Sequence, residues 1–64
     1  MIKEGDKIKL TTGEIAIISE VLEENVAYIA EIFLKEGGVS IDQISLNDIA
    51  SIFEEIERPV AQAI

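Results

Sequence analysis

The chain has 64 residues, which leaves room for one domain with one small core, near the lower limit for unassisted folding. It contains no cysteine and no histidine, which excludes disulfides, thiolate metal sites and nucleophiles of the Ser-His and Cys-His types. Its net charge of −8, from 13 acids against five bases, opposes the phosphate contacts on which non-specific nucleic-acid binding depends.

The first predicted strand covers residues 7–10, after a turn at Gly5-Asp6. Alternation places Ile8 and Leu10 on one face of this strand and two lysines on the other. Three lysines in this region are a candidate weak phosphate contact on an acidic chain. They are Lys3, Lys7 and Lys9.

The second predicted strand covers residues 14–22, after a loop at residues 11–13 in which Gly13 is expected to adopt a positive φ. Its alternation is broken around Ser19, which predicts a β-bulge in a long bent strand. Three side chains are then expected to face inward: Ala16, Ile18 and Val21.

A turn at residues 23–25, with Asn25 suited to the left-handed region, precedes a third predicted strand over residues 26–34. One face of it carries Tyr28, Ala30 and Ile32, and the opposite face is unusually apolar for a solvated side. After a turn at residues 35–38, a fourth strand is predicted. In it Val39, Ile41 and Ile44 alternate with Ser40 and Asp42.

The last segment has two interpretations. The spacing of Ile49, Ile52, Phe53 and Ile56 fits an amphipathic helix that ends before Pro59. It fits equally one helical turn over residues 46–49 followed by a strand over residues 51–57.

Several of these features together resemble a known fold. Gly5-Asp6-x-Ile8-x-Leu10, then Gly13, a long bent strand, a tight turn and a strand beginning Ala27-Tyr28-Ile29 are similar to small Src-homology-3-like barrels. The nearest are the KOW- and Tudor-like group and small uncharacterised bacterial proteins made of one such barrel. The resemblance covers about residues 4–57.

This resemblance implies a mainly β fold, a small five-stranded barrel with one short 3-10 turn before the last strand. The alternative is an α+β fold, a four-stranded sheet packed by a C-terminal helix. KOW-type sequences usually have glycine where Ala16 stands, and they carry basic and aromatic residues for nucleic acid. This chain has only three aromatic residues, so the resemblance favours the fold more than nucleic-acid binding.

Residues suited to catalysis or to ligand binding are scarce. The acidic runs at residues 23–24 and 54–57 are interpreted as solvated carboxylates, because paired catalytic carboxylates need a cleft. The oxygen-bearing residues 42, 47 and 48 lack calcium-loop spacing, and Gly37-Gly38 lacks the remainder of a phosphate-binding loop. We therefore expect no enzyme activity and no catalytic, metal or cofactor site.

A surplus of outward-facing apolar residues predicts a protein-interaction module, with another protein or a second copy of the chain as its partner. The candidate interface residues are Ile15, Ile17, Leu22, Ile29 and Phe33. The alternative function is nucleic-acid-associated, either weak binding through the lysines or a regulatory, acidic mimic of nucleic acid.

The whole chain, residues 1–64, is expected to form a single domain. Residues 58–64 are then an apolar tail that could cover the same patch. The first residues are polar and no apolar run is long enough to cross a membrane, so we expect no membrane partner. We expect a cytoplasmic location.

Overall fold

The computed structural model describes residues 1–53, and over them the protein is mainly β. Five antiparallel strands form one sheet with the order β4-β3-β2-β1-β5. The strands are β1 (Lys7–Leu10), β2 (Ile15–Glu23), β3 (Ala27–Phe33), β4 (Val39–Ser45) and β5 (Ile49–Ile52). One 3-10 turn, Leu46–Asp48, connects β4 to β5. The predicted mainly β class and the short helical turn before the last strand are confirmed.

The tight turns contain left-handed residues where the sequence predicts them. Gly13 has φ 98° between β1 and β2, and Asn25 has φ 64° between β2 and β3. Glycine adopts this region without a Cβ penalty, and asparagine tolerates it better than most residues. These two positions fix where the chain reverses and therefore set the register of the first three strands.

The long strand β2 is bent by two irregularities. Ile18 lies opposite Ala30 and Glu20 lies opposite Ile29, so Ser19 is the extra residue of a bulge. The Ser19 hydroxyl donates a hydrogen bond of 3.2 Å to the Ile29 carbonyl across this bulge. A second register shift follows between Val21 and Glu23. The predicted bulge near Ser19 is confirmed, and it bends the strand.

The core lies on one face of the sheet. In the described part of the chain, nine apolar side chains are buried: Ile2, Ile8, Leu10, Ala16, Ile18, Tyr28, Ala30, Ile32 and Ile44. Val21, Leu34 and Ile49 pack against them and are partly buried. The inward positions predicted for β1, β2 and β3 are confirmed, because alternation brings each of these side chains to the same face.

The sheet is not closed into a barrel, so that part of the prediction is wrong. β4 and β5 are its two edges, and no ladder joins them within residues 1–53. β5 has four residues and is paired with β1, so none of the described strands pairs with the outer side of the seven-residue β4.

The sheet nevertheless curls. Five flat strands would separate the outermost two by about 19 Å, but only the residues of the 3-10 turn connect them. Those residues span less than about 15 Å even when extended, so the two edges must approach each other at this end. The Leu46 N–H donates to the Val26 carbonyl at 3.0 Å, and the Thr11 N–H donates to the Asp48 carbonyl at 2.9 Å, which anchors the turn.

The C-terminal helix alternative is wrong over the residues that can be compared. Ile49 and Ile52 belong to β5, and the Phe53 N–H donates to the Lys7 carbonyl at 2.9 Å. The rest of the predicted last strand, residues 54–57, and the predicted tail, residues 58–64, lie outside the described residues. Within residues 1–53, no helix has the length and apolar character needed to cross a bilayer.

Candidate interaction surface

The face of the sheet opposite the core carries a group of apolar side chains on three adjacent strands. Alternation places them there, because each is next in sequence to a residue directed toward the core. We call this surface the outer face. Its residues on β2, β3 and β4 include Ile15, Ile17, Ile29, Glu31, Phe33, Val39 and Ile41, with Glu20 and Gln43 on either side of Ile29.

Strand register aligns most of these residues in two rows across the sheet. Ile15 lies opposite Phe33, which lies opposite Val39. The second row contains Ile17, Glu31 and Ile41 in the same order. Facing residues on neighbouring strands are close enough for their side chains to touch, so each row forms a continuous strip.

Exposure rises toward the edge strand β4. The side chains on β2 are partly buried by their neighbours, whereas Phe33 is 40% exposed, Val39 52% and Ile41 66%. Among the large apolar residues that the structure describes, only Met1 is more exposed than Ile41 and Val39. The most accessible part of the apolar surface is therefore at the edge of the sheet.

Four of the five predicted interface residues come together on the outer face: Ile15, Ile17, Ile29 and Phe33. Leu22 is separate from them. It is exposed at the opposite end of β2 from Ile15, where it is the extra residue of the second register shift.

Two outer-face residues, Val39 and Ile41, were not predicted from the sequence. They were expected on the same face as Ile44, but Ile44 is buried in the core whereas Val39 and Ile41 are exposed. The sequence did contain this signal. Ile44 follows Ile41 by three positions, and strict alternation places residues at an odd spacing on opposite faces of a strand. The register confirms this, since Ile44 lies opposite the buried Tyr28.

The acids on the outer face include Glu20, which is exposed opposite Ile29, and Glu31. Glu31 lies between Ile17 and Ile41 and is partly buried. A carboxylate with apolar neighbours on both sides loses part of its hydration, and it loses more if the surface is covered. Glu31 therefore limits how tightly an apolar partner can pack on this face.

The three lysines do not converge into one phosphate site. Lys7 and Lys9 share the outer face of β1, opposite Ile17 and Ile15. Lys3 precedes β1, and its Nζ lies 3.5 Å from the Asp6 carboxylate. The Nζ of Lys7 lies 5.4 Å from the centroid of the Phe53 ring, a cation–π contact. Two of the three charges are thus already engaged within the chain.

Two of the aspartates have structural roles. The Asp48 carboxylate accepts hydrogen bonds from the Ser45 N–H at 2.9 Å and from the Ser45 hydroxyl at 3.3 Å, at the start of the 3-10 turn. Asp42 accepts one from the Ser40 hydroxyl at 3.0 Å. Over the part of the chain that the structure describes, no three acidic side chains are grouped as a metal site would require.

Comparisons with known proteins do not place the chain in a family. No family model matches it, and neither a curated protein nor a solved structure gives a significant match. The functional interpretation therefore depends on the outer face itself.

Proposed function

We propose that this chain is a non-enzymatic protein-interaction module that associates with itself through the outer face. The observation that carries the proposal is the exposure of Phe33, Val39 and Ile41 beside Ile15 and Ile17 on adjacent strands. Contiguous apolar surface of this kind is typical of interaction sites, whereas single exposed apolar residues are ordinary.

Energetics supports a partner. Burying a large aliphatic or aromatic side chain contributes about 1.5–3 kcal/mol, and Ile41 is two-thirds exposed, so covering it alone contributes about 1–2 kcal/mol. Over residues 1–53 the core has nine buried side chains, and two of them are alanines. Burial between copies would add apolar contacts to a domain that has few.

The wider proposal follows the resemblance. The strand order, with the last strand against the first, and the 3-10 turn between β4 and β5 support a small Src-homology-3-like domain in open form, which we propose is bacterial. We propose a cytoplasmic location for it. Fractionation of cells that carry a tagged copy tests that location.

Sedimentation of the wild type and of Phe33→Glu at tens of micromolar tests the main proposal. Phe33 lies in the middle of an outer-face row, so a carboxylate there has to be desolvated in any interface that uses the face. Val26→Glu is the matched control. Val26 is 47% exposed, close to Phe33 in exposure, but it precedes β3 in the turn region.

We expect the wild type and Val26→Glu to sediment as dimers and Phe33→Glu as a folded monomer of lower stability. A monomeric wild type, or a Phe33→Glu protein with unchanged mass and solubility, overturns the proposal. Circular dichroism of each variant confirms that the sheet is retained.

A further inference from the structure

The outer edge of β4 has a defined set of backbone groups directed away from the sheet. At one end of the β3–β4 ladder the Leu34 N–H donates to the Gly38 carbonyl, and at the other the Leu46 N–H donates to the Val26 carbonyl, both at 3.0 Å. In an antiparallel ladder hydrogen-bonded pairs alternate with pairs that are not hydrogen-bonded. Even-numbered residues of β4 therefore bond to β3.

The odd-numbered residues of β4 direct their N–H and C=O groups toward the outer edge. These residues are Val39, Ile41 and Gln43, while the Ser45 N–H is taken by Asp48. Nothing within residues 1–53 pairs with this edge. β4 also lacks the lysine or proline that commonly protects an edge strand, and its one charge is Asp42.

We propose that two copies of this chain pair antiparallel along β4, with the two-fold axis at Ile41. The inference rests on the proposed function and specifies its interface. Ile41 exchanges two hydrogen bonds with Ile41 of the second copy. Val39 exchanges two with Gln43 of the second copy, and symmetry repeats them, so all three outward residues are used.

Side-chain electrostatics favours this register over the one with the two-fold axis at Asp42. With the axis at Ile41, Asp42 lies opposite Ser40 of the second copy. The Ser40 hydroxyl can donate to a carboxylate, as it does to Asp42 within the chain. With the axis at Asp42, the two Asp42 residues would be a facing pair with about 4.5 Å between their Cα atoms, and like charges directly opposite are destabilising.

Area explains why the edge has to take part. From the spacing of strands and residues, the apolar part of the outer face on β2 to β4 measures roughly 14 Å by 14 Å, a projected area of roughly 200 Å². Each partner in a standard interface contributes about 800 Å². Pairing along β4 brings Ile41 against Ile41 of the second copy and Val39 against Gln43, and main-chain hydrogen bonds supply affinity that this small face lacks.

Gln43→Pro tests the pairing directly. It removes an N–H that is directed away from β3, so the β3–β4 ladder keeps its hydrogen bonds, and proline is tolerated at such edge positions. Two intermolecular hydrogen bonds are lost per dimer, for which we expect the dissociation constant to rise at least about tenfold. Gln43→Thr keeps the N–H and is the matched control, expected within about threefold of the wild type.

The outcomes separate this inference from the proposed function. If Gln43→Pro dimerises like Gln43→Thr while Phe33→Glu is monomeric, the edge inference is wrong and the outer face remains the interface. If the wild type is monomeric, both are wrong.

Ser40→Lys keeps the inference testable if Gln43→Pro does not fold. In the proposed register it places an ammonium opposite Asp42 of the second copy, twice per dimer. We expect the dimer to tighten at least about threefold, since opposite-charge pairs across strands are stabilising. Unchanged or weaker association contradicts the register.

Discussion

Replacing Tyr28 with phenylalanine is expected to stabilise the domain. Tyr28 is fully buried at the centre of the core, and its hydroxyl has no hydrogen-bond partner among the residues that the structure describes. A buried polar group without a partner costs about 1–3 kcal/mol of folding free energy, and the substitution removes that cost.

The opposing contribution is small. Deleting one oxygen leaves a space of roughly 15 Å³, which at about 24 cal/mol per Å³ costs about 0.4 kcal/mol. The net expectation is a stabilisation of about 1–2 kcal/mol, which raises the melting temperature by at least about 4 °C in a domain of this size.

Urea denaturation followed by circular dichroism measures this change at low protein concentration, where association does not contribute. Tyr28→Leu is the control, because it removes the hydroxyl together with much of the ring and should destabilise by about 2–4 kcal/mol. If Tyr28→Phe instead lowers the free energy of unfolding by more than about 1 kcal/mol, the hydroxyl is hydrogen-bonded in solution and the reasoning is refuted.

Three further predictions follow from the turn, the outer face and the charge. Gly13→Ala should lower the free energy of unfolding by about 1–2 kcal/mol in the same urea titration, because φ 98° strains any residue with a Cβ. Space for the Cβ is available there, so the cost comes from the backbone. An unchanged midpoint would show that the turn rearranges at no cost. Glu31→Gln should tighten self-association in sedimentation, because the dimer then has no carboxylate at this position that loses hydration. Raising the salt concentration should also tighten it by screening the −8 charge of each copy. Weaker association in either case contradicts the proposed interface. Gel shifts with RNA and DNA at physiological salt should show no binding tighter than about 10⁻⁵ M, and a sub-micromolar complex that Lys7→Glu with Lys9→Glu weakens would favour the nucleic-acid alternative.

Local sequence signals predicted most of the sheet. Alternation in β1 and β3 placed Ile8, Leu10, Tyr28 and Ala30 in the core, where they are fully or almost fully buried. The break in alternation at Ser19 predicted the bulge. These features depend on neighbours in sequence, since side-chain period and turn chemistry are set within a few residues.

One feature that was missed depends on contacts distant in sequence. Barrel closure requires β4 to pair along its outer side, and no local pattern in Val39–Ser45 encodes whether that happens. The outer face was underestimated for a different reason. Val39 and Ile41 are each an odd number of positions before Ile44, so alternation alone separates them from the core, and that local signal was not used.

The central claim is that a second copy pairs along the edge of β4 and contacts the outer-face residues Val39 and Ile41 there. The most direct test is a concentration series of ¹H–¹⁵N correlation spectra, from dilute monomer to tens of micromolar and above. We expect the amides of Val39, Ile41 and Gln43 to shift most, followed by those of Ile17 and Phe33, while the amides around Leu22 stay constant. Shifts that cluster around Leu22 and Val26 instead, or spectra that do not change with concentration, would contradict the claim.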